Sequence, residues 1–162
     1  MVVLDKQIRY QKMMRVLSYF GLIVAHIALY FSRDFIFKNI NYQIKYLRLV
    51  KTSDYEVFNY THSYLEPLLT DYSIEQLTTI KWVLTVVCVL LFFALSLLLM
   101  VLYLKDKKQA LTITSLFYIA FLALGGLAYL LINYRVSREI MGIPQSPIAS
   151  LILFTAVKFL KK

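Results

Sequence analysis

The chain is 162 residues long, 60% apolar and 17% charged, with a formal net charge of +9. Soluble domains average roughly 45–50% apolar and about 25% charged residues, and a domain this small cannot hide so much apolar surface from water. A soluble globular fold is therefore excluded and the lipid bilayer is the natural solvent. The basic residues flank apolar runs and form no basic–aromatic nucleic-acid module, so the charge encodes topology and contact with anionic headgroups, and no nucleic-acid partner is expected.

Residues 1–15 are polar and basic, with Lys6, Arg9, Lys12 and Arg15 at every third position. This spacing predicts a juxtamembrane helix on the cytoplasmic side. The first span is 16–32, Val16–Ser32 between Arg15 and Arg33. Its 17 uncharged residues make about 25 Å of helix, at the short limit for a crossing. No small-residue cleavage site precedes Arg33, so this run is expected to stay as an anchor.

Residues 33–79 contain no run of spanning length and read as an outward-facing segment. Within it Ile40, Ile44, Leu47 and Val50 share one helical face, while Lys45, Arg48 and Lys51 mark another. That pattern, with Tyr42 and Tyr46, predicts a helix over Lys38–Lys51 lying at headgroup level. Glu66-Pro67 breaks the chain. Ser73-x-x-Gln76 matches a capping box and predicts a helix start feeding the next span.

The second span is 80–104, with Trp82 and Tyr103 near its ends as an aromatic belt. A cytoplasmic turn, 105–108, carries Lys105, Lys107 and Lys108. The third span is 109–134, uncharged throughout. Residues 135–146 read as an outer loop. The fourth span is 147–160, where Pro147 suits a first helical turn because its missing N–H costs nothing there. Gly142 and Pro144 interrupt its approach, so a tilted or re-entrant segment competes with a full crossing. The fold class is all-α, an integral membrane bundle of four transmembrane helices.

Four crossings place both termini on one side. That side holds Lys6, Arg9, Lys12, Arg15, Lys105, Lys107, Lys108, Lys158, Lys161 and Lys162, ten of the 18 basic residues, in short segments. The positive-inside rule makes it cytoplasmic.

His26 is an ionisable residue at membrane depth, where such a group is costly and marks a candidate site. With no acidic residue inside any span, helix packing is favoured over a proton or substrate path. Ala120, Ala123, Gly125 and Gly126, followed by Ala128, form a small-residue patch where another helix backbone can approach. Arg135, Arg138 and Glu139 form an outer-surface cluster, read either as a clamp on the third and fourth spans or as a partner contact. Cys88 could in principle meet His62 and Arg135 or Arg138 as a thiol site, but a buried cysteine usually packs as a small hydrophobe. Asn59-Tyr60-Thr61 fits a glycosylation sequon, which matters only in a eukaryotic lumen. No metal-ligand spacing, phosphate loop or nucleophile elbow occurs in the sequence. No catalytic residue, metal or cofactor is expected.

The order of features resembles the small exosortase F system-associated membrane proteins of bacteria. The resemblance rests on the basic N-terminus, the short first span and an aromatic outer segment (DFIFKNINYQIKYL). It continues through a hairpin with a lysine-rich turn (LYLKDKKQALTITSLFYIAFLAL) and an Arg-containing link to an apolar tail (SREIMGIPQSPIASLILFTAVKFLKK). It implies an accessory protein of the bacterial inner membrane, beside a larger membrane peptidase that holds the catalytic residues. A small transporter or channel component, with His26 on its path, is the alternative; a membrane thiol enzyme using Cys88 is the third.

Overall fold

A computed structural model describes residues 2–52 and 63–160. The sequon at 59–61, His62 and Lys161–Lys162 lie outside the described residues. The described residues form an all-α fold of six helices: α1 Val2–Thr52, α2 Glu66–Leu69, α3 Ile74–Leu104, α4 Lys107–Leu131, α5 Tyr134–Gly142 and α6 Pro147–Leu160. Three of them, α1, α3 and α4, are long and apolar enough to cross a membrane. Together α5 and α6, bent by 67° at a short break, meet the same criterion as a broken span or a re-entrant loop. The chain divides into two compact units, Met1–Tyr30 with Val89–Lys162, and Phe31–Cys88.

In the second unit, Ile40 and Ile44 of α1 are buried with Leu69 of α2 and Leu77 of α3, and Ile36, Leu47, Leu65 and Leu84 pack around them. The helix expected over Lys38–Lys51 is present. Lys38–Lys51 is no separate element but part of one uninterrupted α1, and its apolar face is turned to protein instead of lipid. Val50 falls outside the packed stripe and stays exposed. Asn39, buried, fixes the turn that follows: its Nδ2 donates to the Phe35 carbonyl, while its Oδ1 accepts from Ser63 Oγ and the Tyr64 backbone N–H. The Ser73–Gln76 capping box forms reciprocally. Gln76 N–H donates to Ser73 Oγ at 3.2 Å and Ser73 N–H to Gln76 Oε1 at 2.8 Å, satisfying two otherwise orphaned donors at the start of α3.

In the first unit, α3 and α4 are joined by a two-residue turn. Lys105 takes a left-handed φ of 61°, and the Asp106 carboxylate caps α4 by accepting from the N–H groups of Lys108 and Gln109. The α4 helix stops at Leu131, short of the expected 134, because Asn133 turns the chain and caps α5 through Val136 N–H. The expected outer loop over 135–146 is thus mostly helix. Val136, Ser137, Ile140 and Met141 are partly buried while Arg135, Arg138 and Glu139 are exposed, so α5 lays one narrow face on α4. Met100 and Leu104 of α3, Ala110 of α4, and Leu153 and Val157 of α6 form the apolar core at the end of the unit marked by the Lys105–Lys108 turn.

Candidate functional site

The first unit has a polar centre inside an apolar shell. In α1, from Arg9 to Tyr30, His26 is the only buried side chain among those described. Its Nδ1 lies 3.0 Å from the Leu22 carbonyl. A carbonyl can only accept, so Nδ1 carries the proton and Nε2 is an acceptor. Ser150 Oγ of α6, 3.1 Å from Nε2, therefore donates to it. Tyr118 Oη of α4 donates to the Pro144 carbonyl at 3.0 Å, so Ser96 Oγ of α3 donates to Tyr118 Oη at 3.2 Å. Ser96 Oγ also approaches His26 Nε2 at 3.4 Å, the longest of these contacts, and its one proton is already directed to Tyr118. Phe92 tilts against the imidazole with ring centroids 6.0 Å apart, and Phe93 meets the Tyr118 ring edge-on at 5.3 Å.

These groups sit at matched depths along their helices. His26 is 11 residues from Arg15, and Tyr118 is 11 from Lys107, which is about 16 Å in each case. Ser96 precedes Lys105 by nine residues and Ser150 precedes Lys158 by eight, about 12–14 Å. In a hydrocarbon core roughly 30 Å thick, all four lie near the middle.

The α5–α6 break meets this centre. Irregular backbone at membrane depth is tolerated only where its polar groups find partners, and here they do. Ile143 N–H donates to the Ile140 carbonyl, Gln145 N–H to Gly142 and Ser146 N–H to Ile143. Gln145 Nε2 donates to the Met141 carbonyl and Tyr118 covers that of Pro144. Pro144 and Pro147 have no N–H to satisfy. Among the described residues, two buried acceptors beside the network have no hydrogen-bond partner: Gln145 Oε1, next to Pro144, and Thr114 Oγ1, one turn from Tyr118.

The small-residue patch divides in two. Gly125 is buried: its carbonyl accepts from Ser137 Oγ at 2.8 Å, and a Cβ there would lie 2.5 Å from Met141 Cγ and Sδ. Ala128 is buried as well. By contrast, nothing lies within 4 Å of a Cβ placed on Gly126, and Ala120 and Ala123 are exposed. Arg135 and Glu139 pair with each other at 3.5 Å along α5, both well exposed, and Arg138 is exposed. They do not clamp the helices; Ser137 and Met141 do. Cys88 is a buried free thiol in the other unit. Among the described residues no group of three His, Cys, Asp or Glu side chains could hold a metal ion.

Of the sequence candidates, His26 alone enters the polar centre. Ser96, Tyr118, Ser150 and the Pro144 carbonyl were missed, and their one signal was the shared distance from a basic flank. The fold and this centre define a small helical membrane protein with an internally hydrogen-bonded core. No family model, curated protein or solved structure matches the chain.

Proposed function

We propose that the chain is a non-enzymatic accessory subunit of a protein-sorting or export complex in a bacterial inner membrane, with both termini cytoplasmic. It docks a larger membrane protein through the open face of α4 at Ala123 and Gly126. The observation that carries this reading is the division of the glycine pair. Gly125 is consumed by α5 within the chain, whereas Gly126 and its small neighbour Ala123 leave a shallow place on the surface, between Ile119 and Leu130. Helices in lipid associate by close fit, since lipid tails are as apolar as leucine. The His26 network adds support, because its protons are directed to the chain's own acceptors, as suits a scaffold. The resemblance to exosortase F-associated proteins supplies the setting.

The test is co-purification from native membranes of the wild-type chain and Gly126→Leu. One discrete membrane partner, retained by the wild type and lost by the variant, is the expected result. Equal recovery of the partner by both would overturn the docking face. A small transporter or channel component is the second reading, favoured by the two unpartnered buried oxygens of Thr114 and Gln145 beside a broken helix pair, since discontinuous helices line substrate sites in transporters. Solute flux in liposomes that disappears in His26→Leu would establish it.

A further inference from the structure

The two ends of α3 and α6 at the Lys105–Lys108 side form a groove lined by Tyr103, Phe154, Thr155, Lys158 and Phe159. Tyr103 and Phe154 build its floor, their rings edge to face at 5.1 Å. Phe159 is 71% exposed beside it. Lys158, in the last turn of α6, stands at the rim. Lys105, Lys107 and Lys108 lie two to five residues after Tyr103 in the chain, and none of these four lysines is ion-paired with a carboxylate among the described residues. Asp106, the acid within that turn, has its carboxylate turned to the α4 N-terminus as a cap.

We propose that this groove binds one anionic phospholipid, its phosphate at the Lys158 ammonium and an acyl chain along Tyr103, Phe154 and Phe159. The charge and the apolar lining argue for the same occupant. Tyr103 lies two residues before a charged turn, at the depth where aromatic rings meet headgroups. A lysine in the last turn of a spanning helix extends its ammonium to that same level. An acidic peptide would satisfy the ammonium but not an aromatic floor that faces the acyl region. A zwitterionic lipid would fill the floor but leave the cationic rim uncompensated. Fixed cations of the protein attract anionic lipid at short range, and the ring floor holds the chain in one place.

The experiment titrates the purified full chain in neutral detergent with phosphatidylglycerol or phosphatidylcholine of identical chains, counting bound lipids by native mass spectrometry. One phosphatidylglycerol per chain should bind ahead of the rest, and well ahead of phosphatidylcholine. Lys158→Gln should weaken that first binding about fivefold, with phosphatidylcholine binding unchanged. Lys108→Gln, at the same end but outside the groove, should have a smaller effect. Both positions are exposed, so neither substitution endangers the fold. Phe154→Ala, in a variant whose unfolding temperature is checked, should weaken both lipids. Equal losses in Lys158→Gln and Lys108→Gln would mean diffuse charge attraction and overturn the site, as would equal binding of the two lipids.

Discussion

Removing the Tyr118 hydroxyl deletes two hydrogen bonds and leaves the Pro144 carbonyl without its donor at the break between α5 and α6. Hydrogen bonds between membrane helices average about 0.6 kcal/mol and reach about 1.7, while an orphaned buried acceptor costs about 1–3 kcal/mol. Tyr118→Phe is therefore expected to cost about 1–2 kcal/mol in reversible unfolding from mixed micelles, and Ser96→Ala only about 0.6. The reverse order would mean that the Pro144 carbonyl finds another donor. Cys88→Ala, by contrast, should cost less than about 1.5 kcal/mol and leave partner binding intact, because a buried thiol packs as a small hydrophobe. Loss of activity by well-folded Cys88→Ala protein that still binds its partner would revive the thiol reading. His26 was legible in the sequence because an imidazole inside an uncharged run must find a hydrogen-bond partner within the protein. Its partners were not, because a hydroxyl in a helix can always bond its own backbone four residues back. Thr78, Thr85, Thr112 and Thr155 do so, and nothing in their sequence surroundings separates them from Ser96 or Ser150.

At the scale of the helix, Gly125 and Gly126 offer a paired experiment with one substitution. A leucine at Gly125 must displace Met141 and disturb the Ser137 hydrogen bond, so α5 is driven off α4. Overpacking of this kind costs about 1–3 kcal/mol, read as a lower unfolding temperature in detergent. A leucine at Gly126 enters open space and should leave that temperature unchanged while weakening co-purification. Equal destabilisation by the two would show that Gly126 packs within the chain. The sequence placed both glycines in one patch because adjacent residues differ by 100° around a helix and no pattern names the neighbour on each side. The same gap explains α1. Its apolar stripe at Ile40, Ile44 and Leu47 is plain from periodicity, yet a stripe of that width can face lipid or protein. The burial of Leu69 and Leu77 against it decides the matter. For α5, nine residues with three charges fall below any spanning window, and only the i, i+4 spacing of Val136 with Ile140 and Ser137 with Met141 hinted at a helix.

For the whole molecule, the decisive quantity is the number of crossings, because it fixes whether the termini share a side. The α5 and α6 helices hold 9 and 14 residues, together about 35 Å of helix, enough for one broken crossing of a roughly 30 Å core. Their break at the depth of Tyr118 keeps the path continuous, and its satisfied carbonyls allow it to lie in lipid. Counted as one broken span, the pair brings the proposed topology to four crossings, an even count. In the proposed orientation, the ten basic residues in the N-terminus, the 105–108 turn and the C-terminus all face the cytoplasm. In a Cys88→Ala background, a cysteine at Asp71 should react with an impermeant maleimide added to intact cells, and one at Gln109 should react only after permeabilisation. Both positions are exposed, so failure to label reports the membrane and not burial. The opposite pattern would invert the orientation. Labelling of both from the same side would mean that α3 does not cross. A cysteine at Lys162 separates the remaining cases: protection in intact cells means that α5 and α6 complete the fourth crossing, and labelling from outside, with Gln109 protected, means that they re-enter and leave on the side where α4 ends.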